Sequence, residues 1–392
     1  MKKWSKIVAL TLSAAMLVLS FAACSNTENN GGTDESNNSN NTQAQAMPAV
    51  DKAELKIGVI HITDPAEGSG FTYAQDEGIK EMQKNLGLDD SQIIRKINIT
   101  DTDAAATRTA IEECLEEGCQ VIFGTSYNYK DVMAEMAEEY PNVIFSHCSG
   151  NINNGKNMNN YFGAIYQARY LTGIAAGMKT ETDKIGFVAA MDVNNSEVTG
   201  GINAFTLGVK SVNPDAQVYV RVTGQWYDPN AERQAAQALL DQGCDVIAQH
   251  CDSSVPQETA QAAGKWGCGY NSDMTVQAPN GHLTAPIWHW GVYYTAAVQS
   301  IIDGTWTATN YFGDLSDGLV DISPLNTAVA AEGTQAAIDT ARQNMINGTL
   351  KVFAGPLYDN AGNLKVAEGE EMSVEEITQQ FTWYVDGVVA AG

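Results

Sequence analysis

The chain has 392 residues, enough for two compact domains, and 44% of them are hydrophobic against 18% charged, the balance of a folded chain and not of a disordered one. A formal charge of -25 excludes nucleic acid as a partner, because phosphate binding needs clustered Lys and Arg.

Residues 1–6 are basic, residues 7–21 apolar, and Ala22-Ala23-Cys24 offers small residues for cleavage, so residues 1–23 read as a secretory signal peptide. A Cys after two alanines resembles a bacterial lipobox, with Phe21 where Leu is usual. Cys24 is therefore the expected lipidation site. Residues 24–53 follow as anchor and linker, rich in Asn, Ser, Thr and Gln and too polar to form a core. No later run is long and apolar enough to span a bilayer. The expected place is the outer face of the bacterial cell membrane, held there by lipid. The remaining six cysteines lie mostly in apolar patterns without zinc-ligand spacing, so buried thiols are expected and neither metal nor cofactor.

From residue 55 strands and helices alternate. Strands are expected at 56–62, 92–99, 121–125 and 142–148, with helices at 71–86, 103–117 and 129–140. Asp101 or Asp103 is placed to cap the second helix, and Gly118 to close it. The rhythm then restarts: helix 168–178, strand 184–190, helix 195–212, strand 217–222, helix 230–242, strand 245–249, helix 253–264, strand 267–271. Residues 282–287 return toward the first half, and the part after about 319 shows few helices. The pattern predicts an α/β fold of two lobes, each a parallel sheet flanked by helices. Residues 54–162 with 287–320 would form one lobe, and 163–286 with 321–392 the other.

The sequence holds no G-x-S-x-G, P-loop, HExxH or strand-following GxGxxG. Its five histidines are scattered and read as hydrogen-bonded structure. What stands out is polar and aromatic residues at strand ends: Asp64 and Phe71 after the first strand, Ser126 after the third, Trp226, Asp252, Asn271 and Asp273 in the second half, and Trp288 at the return crossing. Phe71 and Trp226 fall at what read as corresponding strand ends of the two lobes, and are expected to close on a flat ligand from opposite sides. Aromatic walls with a few amides and carboxylates suit a heterocycle, its faces stacked and its edge hydrogen-bonded.

Several segments together resemble the basic membrane protein (PnrA-like) family of substrate-binding lipoproteins. They are residues 56–78, Tyr161-Phe-Gly-x-Ile-Tyr-x-Ala-Arg-Tyr-Leu-x-Gly173, Gly201-Ile-Asn-Ala-Phe-Thr-Leu-Gly208, Ser211-Val-Asn-Pro-Asp215, Trp226-Tyr-Asp-Pro229, residues 241–250 and Gly269-Tyr-Asn-Ser-Asp-Met274. The resemblance implies a type I periplasmic-binding-protein clamshell that closes by a hinge on a purine nucleobase or nucleoside. It implies delivery to an ABC permease, no catalytic residue and a monomer. It makes Phe71 and Trp226 the sandwich and puts Asn271 and Asp273 in the loop where nucleoside binders carry Gly-x-Asp-x-Asp. Trp288 falls near a lysine of those binders, and both departures favour a base without its sugar. A ligand-sensing lipoprotein serving a membrane kinase is the alternative, and a nucleoside-hydrolysing enzyme using Asp64 or Asp252 a further one.

Overall fold

In the computed structural model, which describes residues 45–390, the first sheet grows from short apolar runs whose side chains are buried on both faces, the pattern of a parallel sheet covered by helices. The expected signal peptide and the expected lipidation site Cys24 lie outside the described residues. The last part of the expected linker is not free of the fold: Met47 donates its N–H to the Trp306 carbonyl (2.9 Å) and Val50 to that of Ile301 (3.2 Å).

Strands β1 (Ile57–Ile60), β2 (Ile93–Lys96), β3 (Val121–Gly124), β4 (Ile144–Cys148) and β5 (Met158–Gly163) pair in parallel in the order β5-β4-β3-β1-β2. Helices α1 (Gly70–Leu86), α2 (Ala104–Glu116) and α3 (Lys130–Glu139) connect the first four. Asp103 caps α2, accepting from the Ala105 and Ala106 amides at 3.0 Å each. Gly118, at φ 88°, follows the last turn of that helix.

Helix α4 (Ile165–Lys179) leads to the second sheet, built from β6 (Lys184–Ala189), β7 (Gln217–Val222), β8 (Val246–His250), β9 (Trp266–Cys268) and β10 (His282–Thr284). Their order, β10-β9-β8-β6-β7, repeats that of the first sheet strand for strand. Helices α5 (Ser196–Val212), α6 (Pro229–Asp241) and α7 (Val255–Ala262) connect them. The protein is an α/β fold of two lobes. This order corrects one expectation. Phe71 follows β1, whereas Trp226 follows β7, the counterpart of β2, so the two aromatics do not occupy corresponding strand ends. The counterpart of the first turn of α1 is the first turn of α5, and Glu197 sits there in the place of Phe71.

Strand β11 (Pro286–Trp288) then leaves the second sheet for the crossing, followed by α8 (Trp290–Ile302), β12 (Tyr311–Gly313), β13 (Val320–Ile322), α9 (Thr334–Ile346), β14 (Leu357–Tyr358), β15 (Leu364–Val366) and β16 (Val388–Ala390). β12 extends the first sheet beyond β5, and β16 extends the second beyond β7. β11 pairs with β13, antiparallel, in the crossing. Helix α8 packs on α1 and was not legible from periodicity, because apolar residues cover most of its circumference. Helices α4 and α5 meet backbone to backbone. A Cβ at Gly173 would collide with the Phe205 carbonyl oxygen, and one at Gly208 with that of Tyr170, which is the physical reason for glycine in both of those segments.

On the inner side of α1, Asp76 is buried and pairs with Arg95 of β2 and with Lys80 at 3.0 Å. Burial alone would raise its pKa, but the His61 ring 3.8 Å away and the paired Arg95 and Lys80 outweigh burial and hold it well below the usual carboxylate range. We expect Asp76→Ala to lower stability by about 3 kcal/mol, measured by urea denaturation at pH 7. A carboxylate with a depressed folded pKa stabilises the fold above its unfolded value of ~3.9, and that contribution is lost as pH falls through the folded value. The gap between wild type and variant should therefore narrow below about pH 4.

Candidate ligand-binding site

The carboxyl ends of both sheets face one cleft. From the first sheet come Ile62, Phe71, Ser126, Tyr127 and Ser149; from the second come Glu197, Trp226, His250, Asp252 and Tyr270. In an open α/β sheet this is where the chain leaves strands and side chains converge. The two lobes touch directly beside it. Gly70 opens α1 at φ 85°, and a Cβ there would collide with the Asp252 carbonyl oxygen. Glycine at position 70 thus serves two needs at once, a left-handed backbone and a close approach. Gln277 of the second lobe donates to the Gly68 carbonyl at 3.3 Å, a second tie across the cleft.

Both aromatic walls are fixed from behind. The Trp226 carbonyl accepts from the Asp252 amide at 2.9 Å. Two residues on, Asp228 caps α6 through the Asn230 and Ala231 amides (3.1 and 3.0 Å) and donates its own N–H to Glu232 at 3.0 Å. Glu232 also accepts from the Ser253 hydroxyl, tying the Trp226 loop to the loop after β8. On the other side Phe71 meets Trp290 edge to face, centroids 6.2 Å apart, and Trp290 stacks on Trp288 at 4.3 Å.

Of the residues singled out by sequence, the structure brings Phe71, Ser126, Trp226 and Asp252 together in the cleft. Ser126 donates its hydroxyl to Asp101 at 2.6 Å. Asn271 and Trp288 stand one layer behind: Trp288 donates its indole N–H to Asn271 Oδ1 (3.2 Å), and Asn271 donates its amide to Asp252 Oδ1 (2.8 Å). Asn271 adopts φ 68°, a conformation that Asn tolerates better than most residues. Two acids are placed elsewhere. Asp64 caps the turn Pro65–Glu67 by accepting from the Ala66 amide at 2.8 Å. Asp273, nearly half exposed, accepts from the Thr275 amide and hydroxyl at 2.9 and 2.6 Å. An Asp at a strand end is also a turn former, and sequence does not separate the two roles.

Other side chains in and behind the cleft were not among the expected site residues. Glu197 Oε1 lies 3.4 Å from His250 Nε2, and both belong to the lining with Tyr270. Behind them Arg169 of α4 is buried, donates to the Gln249 carbonyl at 2.6 Å, and lies over the Tyr270 ring at 3.8 Å. A lone Arg in the apolar segment of α4 was the available signal. Burial dominates the ionisation here. It raises Glu197 to about 7 against the opposing effect of Arg169, and it lowers His250 far below its ordinary value, with Arg169 acting in the same direction. Asp252 is pushed well up by burial and by Glu232, against the Asn271 amide. Among the described residues no group of three or more His, Cys, Asp or Glu side chains could hold a metal ion, and the six cysteines are buried and free.

A family model described as "ABC transporter substrate-binding protein PnrA-like" matches residues 55–354. A putative ABC transporter glucose-binding protein of Haloferax volcanii is 34% identical over 319 residues, 81% of this chain and 76% of its own. A purine-binding protein of Brucella abortus is 34% identical over 340 residues, 86% of this chain and 93% of its own. An ABC transporter solute-binding protein from Aeropyrum pernix K1 superposes with a TM-score of 0.65 at 16% identity, covering 77% of this chain and 94% of that one, a likeness of fold.

The bridge from Trp288 through Asn271 to Asp252 can be tested without any ligand. Asn271→Gly keeps the φ 68° backbone unstrained, leaves the indole N–H and the Asp252 carboxyl without their partner, and should cost about 1–3 kcal/mol in urea denaturation. An unchanged midpoint would mean that the bridge does not support the cleft.

Proposed function

This chain belongs to the PnrA-like family of ABC transporter substrate-binding proteins, and on that premise we propose that it captures a purine between Phe71 and Trp226 and delivers it to an ABC permease. The observation that carries this reading is that these two rings, from different sheets, line one cleft together with Asp252 and Ser126. Ring stacking on each face of a purine contributes about 0.5–1.5 kcal/mol beyond area burial, and the cleft supplies hydroxyl, carboxyl and imidazole groups for its edge.

The ligand in this reading is a bare base in preference to a nucleoside. Trp288 and Asn271 spend their polar groups on each other and on Asp252, which supports a cleft built without the extra charges that a ribose would meet. Capture is by hinge closure. The approach of Gly70 to Asp252 and the bond from Gln277 to Gly68 are the contacts of the closed form, and ligand bridging the two aromatic walls favours that form. Before capture, a lipid on Cys24 and the linker behind it keep the protein at the outer face of the membrane, near its permease.

One relative is named for glucose, and a pyranose also presents an apolar face to a tryptophan. A thermal-shift comparison of adenine, hypoxanthine, adenosine and glucose therefore comes first. Stabilisation by the bases supports the reading, and stabilisation by glucose alone defeats it. Trp226→Ala should weaken purine binding more than tenfold in calorimetry, about 1.4 kcal/mol or more. Gly70→Ala, whose added Cβ blocks the approach to Asp252, should weaken binding by a similar factor while leaving Trp226 in place. Small-angle scattering with ligand should then show a larger radius of gyration than for wild type.

A further inference from the structure

We propose that Glu197, held at the cleft against His250, reads the edge of the bound base as one hydrogen-bond donor beside one acceptor, selecting an amidine or amide edge over an edge with two donors. The inference rests on the purine reading above and adds the basis of selection. Glu197 is the second residue of α5, the position that Phe71 holds in α1, so it enters the cleft from the opposite lobe at the matching place. Its neighbours are already committed elsewhere. Asp252 gives one oxygen to Asn271, and Ser126 gives its hydroxyl to Asp101. Glu197 instead faces His250, which is buried and makes no hydrogen bond through either ring nitrogen. A buried imidazole without partners beside a carboxyl is costly unless a polar ligand joins them.

Burial, and not neighbouring charge, keeps Glu197 from ionising freely. From α4 comes Arg169, which turns its guanidinium onto the Tyr270 ring and the Gln249 carbonyl. From the end of β8 come His250, kept neutral by burial, and Asp252, itself pushed up. Tyr270 follows β9, while Tyr127 faces the same cleft from the first lobe. With burial raising Glu197 to about 7, a protonated carboxyl is available at neutral pH. It presents one O–H donor and one carbonyl acceptor. Adenine matches this with its ring nitrogen and exocyclic amine, and hypoxanthine with its carbonyl and ring N–H. The ionised carboxylate accepts only, and so prefers the two adjacent donors of guanine.

The test is calorimetry with adenine and guanine at pH 6 and pH 8, on wild type, Glu197→Gln and Asp252→Asn. The protonated fraction of a carboxyl near 7 falls about tenfold across that interval, so wild-type affinity for adenine should fall about tenfold and that for guanine should not. Glu197→Gln, whose amide is a fixed donor and acceptor, should bind adenine equally at the two pH values. Asp252→Asn should keep the wild-type fall, whatever its absolute affinity. A wild type indifferent to pH, a fall that survives in Glu197→Gln, or a fall abolished by Asp252→Asn overturns the inference while leaving the purine reading intact. Failure to bind either base at either pH sinks both.

Discussion

The close approach of the Gly70 backbone to the Asp252 carbonyl is the contact on which the rest of the cleft depends. It joins the start of α1 to the loop after β8, and so decides how far Phe71 stands from Trp226. Any side chain at position 70 would hold the lobes apart and let water between the rings. Asp252, Glu197 and His250 all owe their displaced ionisation first to burial, so geometry and electrostatics in this cleft share one cause.

Support for the cleft comes mostly from backbone and amide groups and less from ion pairs. The Trp226 loop is held by the Asp252 amide, by the cap at Asp228 and by Glu232. The rings behind Phe71 form a stack that ends on the amide of Asn271, and Asn271 in turn holds Asp252. A chain of contacts thus runs from the first-lobe aromatic, through the crossing between the sheets, to the second-lobe acid. Ordered groups of this kind lower the entropy lost when a ligand binds. A buried charge cluster, Asp76 with Arg95 and Lys80, sits instead at the interface of α1 with β2, where it fixes the helix that carries Phe71.

Fold class, the two rounds of strand and helix, the cap at Asp103 and the stop at Gly118 were legible in the sequence, because each rests on local periodicity or on a single residue's backbone preference. Helix α8 was not, since its exposed stripe carries Val292 and Ala296 and so shows little polar contrast with the buried face. Nor was the addition of β12 and β16 to the sheet edges, where three-residue strands carry too little pattern to be seen. In the cleft, Phe71 and Trp226 were recognisable because aromatics in polar loops are conspicuous. Asp64 and Asp273 looked equally suited and proved to cap their own turns.

Composition, strand rhythm and the Phe71 and Trp226 loops by themselves determined a two-lobed α/β protein with an aromatic cleft, since each is written in contiguous residues. Only the tertiary structure decided that Trp226 follows the counterpart of β2, that Glu197 stands in the place of Phe71, and that His250 lines the cleft with Arg169 behind it. These facts depend on strand order and on which groups burial deprives of water. Neither is encoded in any short stretch of chain.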